Sequence, residues 1–296
     1  MSVGFAVRKL YWGKETAYGS PAAISGHFGL PTSWDAGSEI VEEDIYAGQR
    51  GYYARVPIGR DVNPSTSFYF VDGKFLPLLL GAVQDSGTTP PYTHTVTLGN
   101  NLPSATIEAV RGSIAERVVG ALVSDWEISG DTDGIIEVSL DFAAKDIAFL
   151  TNYTDPNIAL PTTRPFKFTD VQVTWDTTAL KCTSFSISGS NNLEPLPRDS
   201  NGVVQGYAIL TAEYEAELEV LWEDYSLAQD FLNQPRKDLT IKLTRTANED
   251  QIEFQLNNCL LNWASEIDYS GNMITQTINL MPTDITIVGK DSSSTW

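Results

Sequence analysis

Along much of this chain apolar and polar residues alternate one by one, the period of a strand with one buried face. From Gly134 to Phe142, Ile136, Val138, Leu140 and Phe142 share one face, while Glu137, Ser139 and Asp141 share the other. The stretch from Ala212 to Leu221 behaves alike, with Tyr214, Ala216, Leu218 and Val220 opposing Glu213, Glu215, Glu217 and Glu219. Residue patterns predict further strands over 52–58, 65–71, 92–98, 105–111, 118–129, 166–175, 183–189, 239–246 and 252–267. Two stretches read as short helices: 72–83, with Pro77 near its middle, and 222–233, stopped by Pro235. The pattern predicts an all-β fold with minor α content.

The order of these elements repeats. Each half runs alternating strand, short helix, two strands and a long closing hairpin. Shifted by 138 positions, the hairpins align without a gap. Leu122 meets Leu260, Ile136 meets Ile274, Leu140 meets Ile278, Phe142 meets Leu280, and Asp146 meets Asp284. This predicts a duplicated module, with residues 1–150 as the first copy and 151–296 as the second. Residues 143–165, with Asp155-Pro156, Pro161 and Arg164-Pro165, read as the linker. Residues 13–51 are rich in Gly, Ser and Pro and read as irregular, with an acidic patch at Glu39, Glu42, Glu43 and Asp44. So long a structureless stretch in a compact domain is uncommon, and a neighbouring copy is the partner expected to order it.

Composition narrows the function. The formal net charge is −19, from 38 acidic and 19 basic residues. Binding duplex DNA by neutralising phosphates needs clustered Lys and Arg, so that mode is excluded, whereas an acidic surface lets DNA pass without sticking. Solubility, in a saline habitat for example, is the other reading of the same charge. Cys182 and Cys259 are too sparse for a disulfide framework or a zinc site, and a bridge between them is not expected. No apolar run approaches the roughly 20 residues needed to cross a bilayer. Met1 to Tyr11 lacks the apolar core of a signal peptide, so synthesis in a cytoplasm is expected.

The sequence carries no Gly-rich phosphate loop, no His-Glu-x-x-His, no paired-Cys motif and no nucleophile elbow. His27 and His94, the two histidines, lack a supporting signature for a nucleophile–base pair. Asp131, Asp133 and Gly134 resemble a fragment of a calcium loop, but its later ligands are absent and a hairpin turn is expected. No catalytic residue, cofactor or metal is assigned. The Glu213–Glu219 row has three readings: a solvated face, the wall of a water-filled bore, or the acid pair of a glycosidase. Successive carboxylates about 7 Å apart fit a glycosidase by distance. An even row, however, offers no asymmetry to separate two pKa values, and its mutual repulsion requires water.

The segment Trp12-Gly13-Lys14-Glu15-Thr16-Ala17-Tyr18-Gly19-Ser20-Pro21 resembles the opening of siphophage major tail tube proteins. Residues 184–194 (SFSISGSNNLE) and the terminal Leu280-Met281-Pro282-Thr283-Asp284 add to the likeness, which spans nearly the whole chain without a sharp motif. The resemblance implies a structural virion protein of the tail, assembled in the host cytoplasm, with two tandem tube modules whose inner sheets join edge to edge. Family rings hold six modules, so three copies of a duplicated chain would complete one as a homotrimer with pseudo-sixfold symmetry. About 24 strands at roughly 4.8 Å each, widened by tilt, give a backbone diameter of about 37–48 Å, wide enough for duplex DNA.

On this reading Glu213, Glu215, Glu217 and Glu219, followed by Glu137 and Asp141, line the bore. Glu15, Tyr18, Glu39, Glu42, Glu43 and Asp44 contact the adjacent ring. Implied partners are the chain itself, the tape measure protein, the tail terminator, distal tail or baseplate proteins, and DNA in transit, with no membrane. A contractile-tail or secretion tube is the rival within the structural class. A β-sandwich carbohydrate-binding or adhesin module is the rival outside it, with Trp34, Trp126, Trp175 and Trp263 as stacking candidates.

Overall fold

The computed structural model of the 296-residue chain describes residues 9–48, 50–160, 162–246, 250–262, 267–268 and 274–296. Its first half contains β1 (Lys9–Lys14), β2 (Gly26–His27), β3 (Leu30–Asp35), β4 (Ser38–Ile45), β5 (Ala54–Val62) and β6 (Ser65–Tyr69). Then come α1 (Pro77–Leu80), β7 (Gly81–Ser86), β8 (Tyr92–Leu98), β9 (Ala105–Arg111), β10 (Ile114–Asp131), β11 (Glu137–Ala143) and β12 (Asp146–Thr151). The second half contains β13 (Val171–Trp175), β14 (Thr178–Leu180), β15 (Cys182–Ser190), β16 (Leu193–Pro195), β17 (Tyr207–Ile209) and β18 (Glu213–Leu221). It continues with α2 (Ser226–Asn233), β19 (Lys237–Thr246), β20 (Asp250–Asn262), β21 (Ile267–Asp268), β22 (Thr275–Met281) and β23 (Asp284–Asp291). The fold is all-β, as the alternation predicts.

One broad antiparallel sheet runs β3–β6–β11–β10–β15–β18–β22–β20, with β21 continuing beside β22. Two further sheets cover its apolar face: β2–β1–β9–β10–β12 and β14–β13–β19–β20–β23–β8–β7. β10 has 18 residues and serves two sheets, turning where its register shifts between Val118 and Ala121. Gly120, at φ +67°, takes the positive φ this bend requires, and a Cβ there would stand 2.7 Å from Lys145 Cβ. The aromatic centre of the core packs Phe28 against Phe68, Phe75 and Phe142, with ring centroids 5.5–6.5 Å apart. Each fully buried Phe contributes on the order of 2 kcal/mol.

Pairings in the second half follow those of the first in the same order. β1–β9–β10–β12 is matched by β13–β19–β20–β23, and β6–β11–β10 by β18–β22–β20. The free hairpin β4–β5 between β3 and β6 is matched by β16–β17 between β15 and β18. One piece lacks a counterpart: the hairpin β7–β8 follows α1, whereas only residues 234–236 separate α2 from β19. That hairpin crosses to the other half, where β8 pairs with β23. His94 on β8 is fully buried there, with Nδ1 2.6 Å from Asp85, Nε2 3.1 Å from Asp291, and its ring stacked on Trp296.

Several expectations need correction. The first helix is confined to Pro77–Leu80 because proline suits a helix start but not its interior, and Gly81 at φ +100° ends it. Residues 13–51 are not structureless: they hold the end of β1, then β2, β3 and β4. Within the expected linker 143–165, Asp146–Thr151 forms β12, so the irregular strap starts at Asn152. The strand expected over 252–267 is β20, ending at Asn262; residues 263–266 lie outside the described residues.

The two halves are stapled by Asn191, which is 1% exposed and donates from Nδ2 to the carbonyls of Leu79 (3.1 Å) and Val123 (2.9 Å). Asn191→Ala leaves both acceptors buried and unpaired. The expected cost is about 2–3 kcal/mol, read as a lowered denaturant midpoint at unchanged slope.

Candidate functional site

The outward face of the broad sheet carries the chemistry. On β18 alternation buries Tyr214, Ala216, Leu218 and Val220 and turns Glu213, Glu215, Glu217 and Glu219 outward; the first three are exposed and Glu219 is half-buried. Register places Glu213, Glu215, Glu217 and Glu219 opposite Ser190, Ser188, Ser186 and Ser184 of β15. These serines in turn face Asp125, Glu127, Ser129 and Asp131 of β10. Beyond β10, Asp141, Ser139 and Glu137 of β11 face Asp125, Glu127 and Ser129, and β6 adds Ser65 and Ser67. The face thus joins the expected residues of both halves. No Lys or Arg occupies any of these positions.

Serine spacing explains how so many carboxylates coexist. Like charges directly opposite each other destabilise a ladder. Here acid faces serine in nearly every pair, so the acidic rows of β10 and β18 stand two strand spacings apart, about 10 Å. Hydroxyls also donate to the acids: Ser186 to Glu127 at 3.0 Å, Thr275 and Thr183 to Glu219 at 2.8 and 2.6 Å, and Thr32 to Glu137 at 2.7 Å. Asp125 and Asp141 are the one directly opposed acid pair in these registers. Burial first, and then the Asp125 charge, raise the Asp141 carboxyl above its ordinary value.

An open hollow of about 730 Å³ lies on this face, with Asp125, Glu127, Asp141, Glu213 and Glu215 in its lining. Trp126 packs over Gly189, where a Cβ would stand 2.5 Å from the indole. Trp126 and Trp175 are 3% exposed and belong to the core. Trp34 is half-buried and donates to Glu116 at 2.7 Å. Trp263 lies outside the described residues. None of these three candidates, Trp34, Trp126 and Trp175, stands free as a sugar platform.

Elsewhere the titratable groups serve packing. His27 has Nε2 3.6 Å from Asp72, and burial lowers its pKa despite that carboxylate. Cys182 and Cys259 are free thiols, and burial pushes them up to about 12 and about 11, far from thiolate reactivity. Among the described residues no cluster of His, Cys, Asp and Glu is arranged to hold a metal ion. No described helix is long and apolar enough to cross a membrane.

The residues expected at a ring-to-ring contact fall into two places. Glu39, Glu42, Glu43 and Asp44 are exposed on the β4–β5 arm, where Arg55 pairs with Glu42 (3.2 Å) and Asp44 (3.1 Å). Glu15 and Tyr18 lie apart from that arm. Glu15 is 7% exposed and accepts from Gly19 N (2.8 Å), Ser104 Oγ (2.8 Å), Thr106 Oγ1 (2.9 Å) and Gly120 N (2.9 Å). It fixes the β10 bend from within. Tyr18 is half-buried beside Gly120, and burial raises its hydroxyl pKa above the ordinary range. Sequence reasoning did not single out Asp125 and Glu127, and read Asp131 only as part of a turn; their signal was the alternation with Trp126 and Ile128 late in a long strand.

Together these features define an all-β structural subunit with one wide acidic sheet face. The chain belongs to the phage tail tube protein family: the family model described as "Phage tail tube protein" matches residues 6–289. It is therefore a structural component of the virion tail. A search of curated proteins returns no match.

Two predictions follow from these groups. Glu15→Gln places an amide NH₂ against N–H or O–H donors, so it should cost nearly as much as Glu15→Ala. Both are expected to lose about 3 kcal/mol in denaturant unfolding. For His27, a lowered folded-state pKa means that the unfolded chain binds more protons below its ordinary value of about 6.5. This contribution is fully present above that value and is lost as pH falls. Thermal melts between pH 7.5 and 5.5 should show a steeper decline than those of His27→Gln.

Proposed function

We propose that three copies of this chain close the broad sheet into one ring, and that stacked rings form the phage tail tube, with the acidic face lining the bore. The observation that carries this reading is the cation-free face running without a break across both halves. The sheet also has two ends to be joined: in the described registers β3 pairs only with β6, and β21 only with β22. Within the chain, β10 meets β15 along Asp125–Asp131 and Ser184–Ser190, a worked example of one module edge continuing another. Eight inner strands per chain give about 24 in a trimer, in line with a bore that admits duplex DNA.

In this ring the two halves act as tandem modules, with the boundary just after β12. Carboxylates at Glu213, Glu215, Glu217, Glu219, Glu137 and Asp141, joined by Asp125 and Glu127, repel phosphate and leave DNA mobile. The exposed arm with Glu39, Glu42, Glu43 and Asp44 reaches the adjacent ring. Its base is braced by Arg198, which donates to the carbonyls of Arg60 (2.7 Å) and Gly202 (3.1 Å). Tape measure, terminator and distal tail proteins meet the tube along its length and at its ends, and assembly takes place in the host cytoplasm.

Negative-stain microscopy of the purified protein is expected to reveal hollow rings or tubes. Particles of single-copy size at every concentration would overturn the ring reading. The combined Glu213→Lys, Glu215→Lys, Glu217→Lys and Glu219→Lys variant should still form tubes but slow genome release from assembled virions. Unchanged release would remove the bore assignment.

A further inference from the structure

The joint between the two halves has a counterpart surface that the chain leaves uncovered. In the second half, Ile252 on β20 and Ile287 on β23 are 3% and 0% exposed. Their equivalents, placed by the matching registers β10–β12 and β20–β23, are Ile114 and Phe149, which are 49% and 69% exposed. Both pairs lie at equal spacing on equivalent strands, yet one is core and the other faces water. A small hollow of about 170 Å³ there is lined by Ile114, Phe149, Ala109 and Ala115 together with the ion-paired Arg111 and Glu116.

First-half side chains share the core that holds the second-half pair. Phe70 stands 6.4 Å from Phe254, the residue between Ile252 and Leu256 on the buried face of β20, and Leu80 joins the same buried cluster. Phe70 and Leu80 have equivalents of their own. Phe70 N donates to Ile136 O at 2.9 Å, and Trp222 N donates to Ile274 O at 2.9 Å, the same bond at the same place in each half. Ten residues beyond Phe70 lies Leu80, 0% exposed; ten beyond Trp222 lies Leu232 on α2, 77% exposed. The chain therefore owns both sides of a second joint, unmet: an open apolar pair in the first half and, in the second, exposed Leu232 beside half-buried Trp222.

We propose that Trp222 and Leu232 of one copy seat on Ile114 and Phe149 of the next, repeating between copies the shared packing of Phe70 and Leu80 with Ile252 and Ile287 in the core, with Glu116 standing in the place of Phe254. The inference rests on the ring reading and specifies its joint. The occupant is a second copy because the surface that fits is on this chain, in its other half. Since α2 lacks a following hairpin, this joint has no equivalent of the β8–β23 pairing. Copies should thus part on dilution while each chain stays folded.

The test uses the full chain. Phe149→Asp and Leu232→Asp should each raise the concentration needed for assembly at least about tenfold, as expected from losing one buried large side chain. Sedimentation reads the assembly and circular dichroism confirms folding. In a Cys182→Ser background, mixing Phe149→Cys with Leu232→Cys and adding a short bismaleimide should yield a cross-linked dimer that neither variant gives alone. If the parent protein assembles while the charged variants assemble equally and the mixture fails to cross-link, the joint is wrong and the ring reading stands. Should the parent never assemble, both fall.

Discussion

Everything in this fold depends on one division of labour: each strand of the broad sheet commits alternate residues to core and to water, and backbone pairing carries that division across the chain. The decisive pairing is β10 with β15. It brings two halves into register so that Ile128 and Ile187 fall on the buried side while Glu127 and Ser188 fall on the wet side. A slip of one residue would drive Asp125, Glu127 and Asp131 into the core and expose Trp126 and Ile128. Register here is strongly specified by burial, which is why an acidic face can extend over both halves without a compensating cation.

Charge on that face is tolerated through composition as much as through solvent. Serine on β15 is small, neutral and able to donate, and it occupies a strand flanked by acids on both sides. Asp125 opposite Asp141 breaks the rule, and there burial, with the Asp125 charge second, raises the Asp141 carboxyl pKa. Glu15 shows the opposite solution. Its carboxylate is buried, but four donors satisfy it, and the bend it holds lets β10 serve two sheets at once.

Sequence periodicity revealed the Glu213–Glu219 row because β18 is buried on one side only, so its alternation is undiluted. β10 concealed Asp125 and Glu127 because its earlier part, from Val118 to Val123, is covered largely on both faces and reads as a mixed apolar run. The first strand of the arm, β4, was misread as irregular for the converse reason, whereas the strand expected over 52–58 is met by β5. β4 buries almost nothing, so its polar and apolar residues follow no period. Glu15 could not be recognised as internal, since its partners Ser104, Thr106 and Gly120 are remote in sequence. Proline at position 77 did point to a weak helix, and the structure shortens it accordingly.

The serine stripe has a consequence for ions. Acidic rows about 10 Å apart lie close to the screening length of about 8 Å at physiological ionic strength. Neither row is independent of the other's field, so the sheet must wear a shared, mobile atmosphere of monovalent cations. With no Lys or Arg to pin charge locally, that atmosphere can slide along the surface as a continuous layer, a property of the water beside the protein and not of any one residue.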